Sequence, residues 1–204
     1  MSKPITFVPL PNEFIHEVLS AATHEKGQML KIVEATWSGE VNGEAGHLNG
    51  TAHPVWAQLK AKHPELELPK DNKAALDALN ARAPQNKVLP PLCAPARGYP
   101  EWQKATMFNA EVCVGYLFGL DARILWVSGP GYRAVICCSA GDKVWLCNDV
   151  EHYSIEPVSP YLGSYASDIP NDCHGASIIA GGQMFDTDGY NIVVNGKGGW
   201  NGPC

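Results

Sequence analysis

The chain has 204 residues, 45% of them hydrophobic and 18% charged, with 20 Gly, 16 Pro and a formal net charge of −6 at pH 7. That composition describes a loop-rich globular protein with room for one large domain or two small ones. Its acidic balance argues against nucleic acid or an anionic membrane as partner, because both need clustered Lys and Arg, and no apolar run is long enough for a transmembrane helix.

Asn12 after Pro11 reads as a helix N-cap, and Phe14, Ile15, Val18, Leu19 and Ala22 follow at helical spacing. Residues 29–34 continue as helix or strand. Ser38 to His53, rich in Gly and Asn, reads as a loop. Helices are predicted from Pro54 to Lys62, with Pro64 ending the first, and from Asp71 to Ala83, with Ala75, Leu76 and Leu79 on one face. The stretch from Ala83 to Pro91 turns polar and then Pro-rich, as linkers do. This divides the chain into a mainly helical N-terminal region, residues 1–90, and a cysteine-rich domain, residues 91–204. The first is either a pro-region or a subdomain.

In the second part a helix is predicted from Glu101 to Leu120. Strands follow over Ile124–Ser128, Ala134–Cys138 and Lys143–Asn148, the last two joined by the turn Ser139-Ala140-Gly141-Asp142. A helix over Ser159–Ile169 leads to strands over Ala176–Ala180, Gln183–Phe185 and Tyr190–Val194, the last pair joined by Asp186-Thr187-Asp188-Gly189. This order predicts an α+β fold, a disulfide-stabilised antiparallel sheet with two helices on one face.

All seven cysteines, Cys93, Cys113, Cys137, Cys138, Cys147, Cys173 and Cys204, fall in the second part, with no CxxC and no zinc-finger spacing. Segregated cysteines without metal spacing point to oxidation outside the cell, and each bridge would add about 2–4 kcal/mol. Cys137 and Cys138 are adjacent on a predicted strand, so they face opposite sides of the sheet and cannot easily bond each other. One can face the helices and reach a residue such as Cys113. An odd count leaves a free thiol, an intermolecular bridge or a missing partner. No signal-peptide pattern stands at Met1-Ser2-Lys3-Pro4-Ile5, so secretion implies a processed form carrying an initiator Met.

Few residues suggest chemistry. Cys173-His174 are sequence neighbours, poorly placed to face each other, and His174 reads as a surface histidine beside a disulfide. His47 and His53 fit no ligand spacing. Asp186, Asp188 and Gly189 lack the remaining acids of a calcium loop, and the glycine pairs feed no helix N-terminus. No GxSxG or HExxH occurs, so no catalytic residue, metal ligand or cofactor is assigned. Among the six Trp, Trp126 and Trp145 belong to predicted strands and to the core. Trp102 and Trp200, among Pro and Gly, are candidates with His174 for contacting a sugar or a protein.

From Cys93 onward the chain carries Ser128-Gly129-Pro130-Gly131, Cys138-Ser139 and Val144-Trp145-Leu146-Cys147-Asn148-Asp149. A predicted helix leads to Cys173, then come Gly181-Gly182-Gln183-Met184-Phe185-Asp186, Tyr190-Asn191-Ile192-Val193-Val194 and Cys204. In this order the motifs resemble secreted fungal cysteine-rich effectors of the killer-toxin-like and necrosis-inducing type. The pattern has a cysteine near Arg133 that this chain lacks, whereas Cys113 and Cys137 are additional. The resemblance implies a secreted, extracellular protein that binds a host or microbial protein or a cell-surface glycan, without an assigned catalytic centre. It would act as a monomer, or as a dimer linked through the odd cysteine. The competing expectations are an extracellular hydrolase of cell-wall polymer or peptide, and an inhibitor of a host hydrolase.

Overall fold

The computed structural model describes residues 30–80, 86–95, 103–120 and 124–197. The helix expected over residues 12–22 lies outside them. Strand β1, Lys31–Val33, resolves the helix-or-strand ambiguity of that segment. The stretch expected as a loop is instead a hairpin, β2 (Thr36–Val41) and β3 (Glu44–Asn49). Asn42 and Gly43 form its turn with φ of 51° and 87°. Both central residues of a type I′ turn need positive φ, and Asn-Gly supplies it at low cost. Gly-rich composition concealed a strong hairpin signal.

Helix α1, Ala52–Lys62, buries Ala52, Val55, Trp56 and Leu59. That spacing is one helical stripe. Helix α2 covers Asn72–Asn80, within the span expected for it. The proposed linker contains β4, Lys87–Cys93, an edge strand of the main sheet. An edge is where Pro90 and Pro91 can be tolerated, since neither offers an N–H to a ladder. The pairing with its neighbour shifts register between Gln183 and Phe185.

Beyond it run β5 (Ala105–Thr106), helix α3 (Met107–Gly119), β6 (Ile124–Val127), β7 (Tyr132–Ser139) and β8 (Asp142–Asn148). Helix α4 (Ser159–Cys173), β9 (Ile179–Ala180), β10 (Gly182–Asp186) and β11 (Tyr190–Asn195) complete the order. The architecture is mixed α+β, with four helices among the described residues. Six strands form the main sheet in the order β1-β7-β8-β11-β10-β4, and every pair is antiparallel except β1 with β7. Strands β3-β2-β6 form a second sheet, and β5 pairs with β9. The boundary drawn at residue 90 therefore runs through β4, and strands from both sides of it share sheets: β1 with β7, β2 with β6 and β4 with β10. Residues 30–80 contain three strands as well as two helices.

Helices α3 and α4 pack on one face of the main sheet. Leu117, Leu162, Tyr165 and Ile169 meet Ile136, Leu146, Met184, Ile192 and Val194 in a single core. Thr106 caps α3 by accepting from the Asn109 amide at 3.3 Å. A Cβ on Gly163 would stand 3.2 Å from Leu117 Cβ, so glycine sets how closely the helices approach. Trp126 is fully buried and donates from Nε1 to Ser159 Oγ at 3.1 Å, and Ser159 in turn donates to the Leu117 carbonyl at 2.8 Å. This chain satisfies polar atoms at the junction of β6, α4 and α3.

Candidate functional site

The cysteines organise the scaffold. Cys93 bonds Cys173 with a Cα–Cα distance of 5.2 Å, joining edge strand β4 to the end of α4. Cys113 bonds Cys137 with a Cα–Cα distance of 5.7 Å, joining α3 to β7. The two cysteines additional to the fungal pattern are thus each other's partners, and Cys137 is the one that faces the helices. Cys138 is disulfide-bonded as well, and its bond lies outside the described residues. A register shift between Val135 and Cys137 marks a bulge immediately before the pair.

Among the described residues Cys147 is the free thiol, and it is buried. Arg133 of β7 and Asn191 of β11 flank it in the ladder. Burial raises its pKa, Asp149 adds to the shift, and Arg133 opposes it without reversing it. The thiol therefore stays protonated and out of reach, which suits neither a nucleophile nor a bridge to a second chain.

The segment after Cys173 is exposed. His174 ends α4 in helical conformation, half-buried, with Nδ1 directed at the Gly175 carbonyl at 2.5 Å. Among the described residues neither His152 nor His174 is hydrogen-bonded to a cysteine or carboxylate. Gly175 adopts φ of 58° and turns the chain, and the Ser177 amide donates back to the His174 carbonyl at 2.9 Å. Ile178 then accepts at its carbonyl from the Met107 amide, and Ile179 pairs with Thr106. These bonds bring Ile178 and Ile179 beside Phe108 at the start of α3.

All three are large apolar side chains left open: Phe108 is 75% exposed, Ile178 82% and Ile179 40%. Scattered exposed apolar residues need no explanation, but these three stand on adjoining backbone. The support beneath is stiff. Asp142, buried in the β7–β8 hairpin, accepts at Oδ2 from the Thr106 amide, Thr106 Oγ1 and Asn109 Nδ2 at 2.9, 3.0 and 2.7 Å. An acidic group at a helix N-terminus is also favoured by the helix dipole. The Cys113–Cys137 bond fixes the next turns of α3 to the sheet.

Trp102 and Trp200 lie outside the described residues, whereas Trp126 and Trp145 are core. The apolar patch escaped sequence reading because Phe108 sits within an amphipathic pattern. Only the helix orientation sends it outward. A shallow groove also opens between the β2–β3 hairpin and α1, lined by Trp37, Glu44, His47, Lys62 and His63 among others. His53 does not join His47 there and stacks on Tyr116 at 4.8 Å. No protein family, curated protein or solved structure matches the chain.

Proposed function

We propose that the protein is a secreted fungal recognition protein of effector or toxin type, which binds a host or microbial protein. The observation that carries this reading is the exposed Phe108–Ile178–Ile179 patch, mounted on elements that two disulfides hold to the sheet. Disulfides persist in oxidising compartments, which supports an extracellular setting. A rigid apolar patch loses little conformational entropy on binding, and aromatic residues contribute disproportionately to interfaces. Two isoleucines beside the ring favour a protein over a glycan, because sugars stack on flat aromatic faces.

The test is direct binding of the full oxidised chain to panels of host apoplastic and microbial surface proteins. Replacing Phe108→Ala together with Ile178→Ser should weaken capture of the bound protein at least tenfold, with the melting temperature unchanged. Equal binding by that variant, or turnover of a cell-wall polymer or peptide by the wild type, would sink the reading. For the inhibitor alternative, the retained protein would be a hydrolase whose activity falls on binding.

A further inference from the structure

Lys87 is the first residue of β4, and its side chain is only 1% exposed. Its Nζ stands 2.5 Å from Asp168 Oδ2 on α4. The ring centroids of Tyr165 and Tyr161 lie 4.8 and 5.9 Å from the same nitrogen. Across the strand pair, Asp186 of β10 is the direct neighbour of Lys87. Asp186 is 4% exposed, and its Oδ2 accepts from Tyr165 OH at 2.5 Å and Tyr161 OH at 3.1 Å. A buried lysine therefore stands by two carboxylates and two tyrosine rings, with Asp168 26% exposed at the rim.

A simple ion pair is a costly use of this position. Removing an ammonium and a carboxylate from water costs several kcal/mol each, and Coulomb attraction recovers it only in part. In a site of low dielectric the pair can relax by moving the proton from nitrogen to oxygen, giving a neutral amine against a neutral acid. Burial does push the Lys87 pKa down, although Asp168, Asp172 and Asp186 all pull it up. A neutral amine held against a carboxylic acid is a nucleophile facing its electrophile. Effective molarities for well-oriented partners reach about 10⁵–10⁸ M.

We propose that Lys87 and Asp168 condense to form an intramolecular isopeptide bond. The Nζ lone pair attacks Cγ of the Asp168 carboxyl, forming the N–C bond. The Cγ–O bond to the acid hydroxyl then breaks, and that hydroxyl leaves with a proton from Nζ as one water molecule. Nothing is oxidised or reduced. Asp186, which accepts from two tyrosine hydroxyls, is the second carboxylate available to carry the proton across. The rings of Tyr161 and Tyr165 lie against the lysine side of the new amide. The link would join β4 to α4, the two elements that Cys93–Cys173 joins at the other end of the strand. The edge strand would then be held by one bond that reductant cuts and one that it does not.

Intact-mass measurement of the full chain, purified natively and then reduced, tests this. The expected mass is one water below that of the reduced sequence. Proteolysis should yield a branched peptide joining the segments around Lys87 and Asp168. Asp168→Ala should return the mass to that of its own sequence. Asp168→Asn distinguishes attack at Cγ from other dehydrations, because it would expel ammonia and converge on the same mass as the cross-linked wild type. An unmodified wild-type mass, or a water lost with only linear peptides recovered, overturns the proposal.

Discussion

The two faces of the six-stranded sheet are built on different principles. On the helical side Ile136, Leu146, Met184, Ile192 and Val194 meet α3 and α4 in an apolar core, with the polar Lys87–Asp168–Asp186 cluster at its β4–β10 end. The opposite side carries Val135, Trp145, Cys147 and Val193, interleaved with Arg133, Asn191 and Asn195. Arg133 lies over the Trp145 ring at 5.6 Å, Trp145 Nε1 donates to Asn195 Oδ1 at 3.1 Å, and Asn191 Nδ2 donates to Asp149 at 2.5 Å. Two buried polar atoms there, Asn191 Oδ1 and Asn195 Nδ2, have no hydrogen-bond partner. The first face gains from area removed from water, while the second depends on polar groups being satisfied. Mutations should therefore act by size on one face and by charge or pH on the other.

The largest effect belongs to the helical side. Converting Cys113 and Cys137 together to alanine should cost about 3.5 kcal/mol, from the loop entropy of a bridge spanning 24 residues. Equilibrium urea unfolding under oxidising conditions measures it, and a loss below 1 kcal/mol would show that α3 is held by packing alone. Leu162→Ala should follow, at about 3 kcal/mol, since a fully buried leucine leaves a cavity between α4 and the sheet. That loss should be the same at pH 4 and pH 7, because the cost is a cavity and not a charge.

How much of this contrast the sequence carried follows from its physical causes. The helical face was legible because Ile136, Leu146 and Ile192 recur on strands while Leu117 and Leu162 recur at helical spacing. Hairpin β7–β8 was legible as well, with Ala140 and Gly141 at φ of 49° and 93° in its turn. The β2–β3 hairpin was not, since its strands hold Gly39, Gly46 and Ser38, which have low strand propensity, and pairing with β6 supplies the stability. Strand β4 was obscured by Pro90 and Pro91, tolerated only because the sheet ends there. Pairing of Cys113 with Cys137 was approached through strand alternation, which placed the two adjacent cysteines on opposite faces. The Lys87 cluster left no local signal: its residues come from β4, α4 and β10, far apart in sequence. The grouping of exposed apolar residues likewise depends on the β5–β9 pairing, which brings residues 178–179 to residues 106–108.

On the polar side, Asp149 should reveal the difference by its pH dependence. Burial lifts its pKa from 3.8 to about 6, and the hydrogen bond from Asn191 offsets only part of that. The folded state then holds the proton more tightly than the unfolded chain does. Stability from this group is greatest below about pH 4, falls as pH rises toward 6, and stays low above. Asp149→Asn should remove the slope and raise stability at pH 7 by about 3 kcal/mol, because the amide avoids a buried charge. Urea midpoints between pH 4 and 7 measure it. A slope that persists in the variant would assign the effect to another group.

The smallest effect should come from Cys147, two residues before Asp149 on the same face. Cys147→Ala removes one buried sulfur and should cost about 1 kcal/mol, with the cavity partly closed by the flanking strands. Its more telling property is chemical silence. Burial holds the thiol in its protonated form, and Arg133 alongside does not overcome that. Iodoacetamide should leave Cys147 unmodified in the native state and label it once denaturant opens the sheet, as read by peptide mass. Labelling at the rate of a free thiol in native buffer would mean that this face opens to solvent while the helical face stays closed. The two sides would then unfold as separate units, and the scaffold under Phe108, Ile178 and Ile179 would rest on α3, α4 and their bridges alone.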